Sequence, residues 1–263
     1  MDRIRSISYG RVATVRHVMG AWRGSAHVEP TLTGERHPKL AVGTDKLVRK
    51  DQTKGTKRVV LLRHGQSTWN QASRVQGDTD ASVLTAEGIA QAKRCKEALK
   101  NVKFDVCFSS PISRAKTTAE LLWEERKEPI LFMDELKEMH LPKIQGLLNA
   151  EAAKLYPVEY KTWREQPHRF HVDGRYPVVE LWGRSLTAWE TILSEPGSSC
   201  LVVSHKSVLR SLVLTAMGLS PSSFRSIEIH NGGICTFDIN VHGEPALVTM
   251  NSTAHMHTDG VYY

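Results

Sequence analysis

The chain has 263 residues and a formal net charge of +7, enough length for one large α/β domain plus an appendage, or for two small domains. No run approaches the ~20 apolar residues that span a bilayer. The charge is local: residues 1–57 carry 12 Lys/Arg against 5 Asp/Glu, whereas residues 58–263 carry 23 of each, so the main body is neutral and argues against a nucleic-acid surface.

Residues 1–57 lack the apolar pattern of a core element over most of their length. Arg3, Arg5, Arg11, Arg16 and Arg23 face a single early acid, Asp2, and Val12, Val15, Met19 and Trp22 follow helical spacing. An Arg-rich, acid-poor amphipathic start is typical of organellar transit peptides; a disordered basic extension fits the same residues. Pro30, Gly34, Pro38, Gly43 and Gly55 make 29–57 read as a linker. Residues 58–250 then form the expected domain and 251–263 a tail. Cys95, Cys107, Cys200 and Cys235 contain no C-x-x-C pair. They read as thiols of a reducing compartment, with neither zinc nor disulfides.

Val59-Val60-Leu61-Leu62 is a branched apolar run of the kind that forms a fully buried strand. It changes abruptly into Arg63-His64-Gly65-Gln66-Ser67-Thr68-Trp69-Asn70. A strand that ends this way delivers polar side chains to the carboxyl edge of an open α/β sheet, where ligands sit. Arg63 is a fixed planar cation suited to phosphate. His64 can act as a nucleophile near neutral pH. Gly65 lets backbone amides approach an anion, and Ser67 and Asn70 add neutral donors. Taken alone, a surface Arg and an ordinary His at a strand end would look the same.

A polar loop with Gln76-Gly77 comes next, and Thr85 caps a helix that reaches Lys100 with Ile89, Ala92, Cys95 and Leu99 on one face. Phe104–Ser109 reads as a strand. Ser110-Pro111 reads as a helix start, a capping hydroxyl and then proline at the first position. That places Arg114 in the first turn, beside amides that already favour an anion, either solvated or as a second phosphate clamp. A strand over Pro129–Met133 leads to Asp134–His140, where one carboxylate can serve as general acid. Residues 147–170 and 178–193 read as helices. Pro142, Pro157, Pro167 and Pro177 break this region into pieces that suit a cap over a small-molecule site.

Cys200–Ser204 repeats the opening: an apolar strand ends at His205-Lys206-Ser207, and a helix with Leu209, Leu212, Val213 and Met217 comes after it. Parallel strands in one sheet bring both strand–His junctions to the same edge. Ile227–Ile229, Gly233–Ile239 and Ala246–Met250 read as closing strands. His255-Met256-His257 has no third ligand at metal-binding spacing and reads as a flexible tail.

Five segments in this order resemble the histidine phosphatase superfamily, also called phosphoglycerate-mutase-like. They are Arg63-His64-Gly65 with Asn70, Leu84-Thr85-x-x-Gly88-x-x-Gln91-Ala92, Ser109-Ser110-Pro111-x-x-Arg114-Ala115-x-x-Thr118-Ala119, Leu136-x-Glu138 and Val202-Val203-Ser204-His205. The resemblance implies an α/β fold, a three-layer α/β/α sandwich around a mostly parallel sheet. It implies that His64 attacks phosphorus and carries a transient phosphohistidine. Arg63, Arg114 and His205 would hold the phosphoryl oxygens, with Asn70 as an added donor. Glu138 would protonate the leaving oxygen and then help activate water. No metal or other cofactor is called for, since two guanidinium groups and a second His supply the charge. The implied partner is a small phosphorylated metabolite, a sugar phosphate or phosphorylated sugar acid, with no nucleic acid or membrane. Oligomeric state stays open. Phe104–Pro111, Ile144–Leu148 and Tyr176–Trp182 look most like plant plastid members, which favours chloroplast over mitochondrion or cytosol.

The chain departs from the commonest family pattern at Ile144-Gln145-Gly146, at Val178–Trp182 and at Lys206. Lys206 stands where a small or polar residue is usual, and either meets a second anionic group or points into solvent. A phosphoglycerate mutase and a catalytically weak binding protein are the competing readings. The short Glu138–His205 interval, with no adjacent Arg pair, disfavours the mutase.

Overall fold

The computed structural model describes residues 4–6 and 55–257. Its strands are β1 (Ile4–Ser6), β2 (Lys57–Arg63), β3 (Val106–Ser109), β4 (Ile130–Phe132), β5 (Ser199–Ser204), β6 (Ile234–Ile239) and β7 (Pro245–Ser252). They form one sheet in the order β1-β4-β3-β5-β2-β6-β7. Every pairing from β1 to β2 is parallel, and β6 and β7 close the other edge antiparallel. The helices are α1 (Thr68–Gln71), α2 (Ala86–Leu99), α3 (Ser113–Trp123), α4 (Asn149–Leu155), α5 (Pro157–Glu165), α6 (Pro177–Ser194) and α7 (Lys206–Ala216).

The central strands are apolar on both faces because both faces are covered. Val59 and Leu61 of β2 join Val202 of β5 in a core packed with Trp182, Trp189 and Leu209 from α6 and α7. Val60 and Leu62 point the other way, into a second core with Ala92 and Cys95 of α2 and Ala115 and Ala119 of α3. These two cores define the three layers. Truncating Leu61 or Leu62 to Ala in such a setting costs about 2–5 kcal/mol. The register sets Arg63 opposite Ser204, so His64 and His205 leave adjacent strands at the same level. All four cysteines are free and buried. Among the described residues no helix is long and apolar enough to cross a membrane.

Several expectations need correction. The helix read from Ser110-Pro111 begins at Ser113, with no side-chain cap. Ser110 instead belongs to the turn out of β3, its hydroxyl accepting the Ile112 N–H at 3.3 Å. Ile227–Ile229 is not a strand: the Ile227 carbonyl accepts from Arg210 Nε and the Ile229 carbonyl from Arg63 Nη1, both at 2.9 Å. These carbonyls serve arginines in place of a ladder. The 147–170 region divides at Pro157 and Pro167 into α4, α5 and a 3₁₀ turn over Pro167–Arg169. The expected tail is packed as far as residue 257: β7 runs to Ser252, and His255 Nε2 lies 3.1 Å from the Gly232 carbonyl. At the other end Ile4–Ser6, within the segment read as an extension, adds in parallel beside β4. The Val12–Trp22 helix and most of the linker fall outside the described residues.

Candidate active site

His64 is 2% exposed at the end of β2. Its Nδ1 lies 2.7 Å from the Gly65 carbonyl oxygen. A carbonyl accepts and never donates, so Nδ1 carries the proton and Nε2 keeps its lone pair. Burial, with Arg114 and Arg63 nearby, holds the imidazole well below its ordinary range of protonation. The ring is therefore a neutral base at pH 7. Its loop is fixed from behind: the Gly65 N–H donates to Thr118 Oγ1 at 3.3 Å, and that hydroxyl donates to the Arg114 carbonyl at 2.8 Å. The Gln66 N–H donates to Gln91 Oε1 at 2.7 Å. Gly65 has to be glycine here, because a Cβ would stand 2.2 Å from the Gly88 carbonyl oxygen.

Two guanidinium groups converge on this ring. Arg63 donates through Nη1 to Ile229, and Arg114 donates through Nη1 to Thr79 at 3.0 Å and through Nη2 to Gly77 at 2.8 Å. The Gln76-Gly77 loop thus serves the site by orienting Arg114. Burial lowers both pKa values to about 10, against the pull of Glu138, so both stay cationic at neutral pH. The Nε atoms of both arginines are buried without a protein partner among the described residues.

His205, fully buried at the end of β5, faces His64 with ring centroids 5.1 Å apart. Its Nε2 lies 2.8 Å from Ser110 Oγ, and its Nδ1 is buried without a partner among the described residues. Burial and then Arg114 depress its protonation as well. Buried nitrogens are normally paired. Arg63 and Arg114, which act on the His64 charge, and His205, whose ring faces it, each carry one such orphan, which an oxyanion would satisfy.

Glu138 is buried after the 3₁₀ turn Asp134–Leu136. Its Oε1 accepts from Met139 N–H at 2.7 Å and its Oε2 from Ser207 N–H at 3.3 Å, at the start of α7. Ser67 caps α1 and Asn70, inside it, closes the capping box: its Oδ1 accepts from the Ser67 N–H at 3.1 Å and from Asn231 Nδ2 at 3.2 Å, which leaves its Nδ2 as the available donor. The structure therefore brings Arg63, His64, Arg114, Glu138 and His205 together, with Asn70 beside them through Asn231.

Sequence reasoning missed Asn231, whose Nδ2 also donates to the His64 carbonyl at 3.0 Å. It also missed Arg184 on α6, which reaches the Asp134 and Glu138 carbonyls over 3.5 and 3.4 Å. The turn signal in Asn231-Gly232-Gly233 marks a loop but not its partner. Lys206, half-exposed, pairs with Glu228. A hollow of about 960 Å³ lies at the opposite end of the sheet, lined by Lys57, Arg58 and Asp238 among others. Arg58 and Asp238 pair there with each other, and no histidine lines it.

An α/β/α sandwich with two strand-end histidines and two buried arginines at one sheet edge defines a class. The histidine phosphatase superfamily (branch 1) model matches residues 59–253, and the chain belongs to that superfamily. It is 45% identical over 183 residues to a probable 2-carboxy-D-arabinitol-1-phosphatase of Arabidopsis thaliana, covering 70% of this chain and 38% of that protein. It is 42% identical over 197 residues to 2-carboxy-D-arabinitol-1-phosphatase of Triticum aestivum, covering 74% and 40%. The chain thus spans about two fifths of the length of these plant relatives. Among solved structures, Bacillus stearothermophilus YhfR superposes with a TM-score of 0.73 at 25% identity, over 76% of this chain and all of that one.

Proposed function

We propose that this protein is a phosphomonoesterase that hydrolyses a small phosphorylated metabolite through a phosphohistidine on His64. The observation that carries this reading is the tautomer of His64: Nδ1–H is committed to Gly65 and the neutral Nε2 is free. In the first step Nε2 bonds to phosphorus as the bond to the leaving oxygen breaks, and Glu138 delivers a proton to that oxygen. Positive charge that develops on the imidazole is steadied by the Nδ1–H···Gly65 bond. In the second step the Glu138 carboxylate takes a proton from water, the water oxygen bonds to phosphorus, and the P–N bond breaks. Arg63, Arg114 and His205 hold the equatorial oxygens through both steps, with Asn70 Nδ2 as a further donor. Ser110 donates to His205 Nε2, which leaves the Nδ1 proton for a phosphoryl oxygen.

The plant relatives' names point to a phosphorylated sugar acid as substrate, with a simple sugar phosphate as the related class. The same relatives and the basic, acid-poor residues 1–28 support a plastid location. N-terminal sequencing of the mature protein from fractionated plant cells checks that: a chain still beginning at Met1 in the cytosol contradicts it.

The activity is tested with the full chain on a panel of sugar phosphates, phosphorylated sugar acids and 3-phosphoglycerate, in EDTA. Phosphate release is expected from wild type and not from His64→Ala. Conversion of 3-phosphoglycerate to 2-phosphoglycerate without release would replace the reading with a mutase. Equal release from both proteins would remove it.

A further inference from the structure

Lys206 is the first residue of α7, between His205 and Ser207, and the Ser207 N–H holds Glu138. A cation is disfavoured at that end of a helix, where the backbone dipole is already positive. It also joins other cations, and burial with Arg210 and Arg63 nearby lowers its pKa while Glu228 opposes this. The charge is tolerated because Lys206 Nζ pairs with Glu228. Glu228 has a second partner, Arg210, whose Nη2 lies 2.5 Å from Oε2.

The two partners differ. Arg210 has a side chain only 6% exposed, bonds through Nε to the Ile227 carbonyl and lies over the Phe224 ring. Lys206 is 36% exposed and is next in the chain to His205. Glu228 is thus anchored by a fixed guanidinium and shared with a movable ammonium. If Lys206 turns away, Glu228 keeps a compensating charge. The charge balance of the site agrees. Arg63 and Arg114 balance a phosphoryl dianion, Arg184 faces Glu138, Arg210 balances Glu228, and Lys206 is left over.

Resting on the phosphatase reading above, we propose that Lys206 forms a subsite for a carboxylate on the leaving portion of the substrate, exchanging Glu228 for it on binding. The class selected is a phosphate ester that also bears a carboxylate. Glu228 parks the lysine while the subsite is empty.

The test uses matched pairs that differ by the carboxylate: 2-carboxyarabinitol 1-phosphate against arabinitol 1-phosphate, and 3-phosphoglycerate against glycerol 3-phosphate. Kd values are measured by calorimetry on the full-length His64→Ala protein, where hydrolysis is silent, and kcat/KM in the otherwise native chain. The carboxylated member should be preferred by about 10- to 100-fold, the value of a charge-assisted hydrogen bond. Lys206→Met should erase that preference, Lys206→Arg should keep part of it, and Glu228→Gln should widen it. A structural ion pair would make Lys206→Met and Glu228→Gln act in the same direction. That result, or a preference that survives Lys206→Met, or no preference in either pair, overturns the subsite. Should the native chain hydrolyse neither pair while the Lys206-dependent Kd preference holds, the phosphatase reading fails and the subsite stands.

Discussion

The protein ends two adjacent parallel strands in histidine, and the two histidines are prepared for different work. Both are buried, both are held neutral, and their rings lie 5.1 Å apart. His64 spends its Nδ1 proton on the next residue's carbonyl, which commits Nε2 to being a lone pair. His205 places Nε2 on Ser110 and leaves Nδ1 without a partner among the described residues. The difference comes from the backbone just beyond each strand. β2 runs into Gly65, whose amide is fixed by Thr118 and whose carbonyl is thereby presented to the ring. β5 runs straight into α7, whose first turns use the His205 carbonyl as a helix acceptor, with Leu209 N–H donating to it at 2.9 Å. A repeated strand–His pattern yields one group built to give an electron pair and one suited to holding an oxygen.

Replacing His205 is the strongest way to sharpen this contrast. His205→Ala should lower kcat/KM by about 10²–10³-fold, the usual effect of losing one oxyanion donor. Phosphoenzyme should still form slowly on His64. A His205→Ala protein with native turnover would mean that the two junctions are not divided in this way.

Acid stability probes what the two rings have in common. Their folded pKa values lie below the unfolded value of about 6.5. Above that pH both states are neutral and no effect is expected. As pH falls below 6.5 the unfolded chain binds the protons first, so folding stability declines, by about 1.4 kcal/mol per pH unit for each ring. Urea titrations between pH 6.5 and 5 should show a slope shallower by about one proton in His64→Ala. An unchanged slope would mean that His64 is protonated in the folded protein.

The smallest effect is expected from the hydroxyl behind His205. Ser110→Ala removes one hydrogen bond to Nε2 and should slow turnover by about 2- to 10-fold, in line with the net value of a single neutral hydrogen bond. The same substitution should leave the His64 tautomer intact, which ¹⁵N chemical shifts of the ring nitrogens would read directly. A shift at His64 would tie the two junctions together more closely than the geometry does.

Much of the site is legible in the sequence because its main groups sit at strand ends. Val59–Leu62 and Cys200–Ser204 announce themselves by composition, and the next residue in each tract is Arg63 before His64, or His205 itself. Thr85 caps α2 as its type and position predict, accepting from the Gly88 N–H. The illegible part depends on long-range contact. Ser110 reads locally as a helix cap, yet it bonds His205, 95 residues away. Asn231 supports the His64 carbonyl across 167 residues. Ile227–Ile229 has the composition of a strand, but two arginines claim its carbonyls. The Lys206–Glu228–Arg210 cluster has the same character: only Lys206 stands out in the sequence, and its partners come from a distant turn and from the next turn of its own helix.

The central claim is that His64 Nε2 takes the phosphoryl group. The direct measurement is to mix full-length protein with ³²P-labelled substrate, quench within the first turnovers in alkali, and locate the label by peptide mass spectrometry. An acid-labile, alkali-stable phosphoryl group is expected on His64, absent from His64→Ala. Turnover with no label on His64, persisting in His64→Ala, would contradict it.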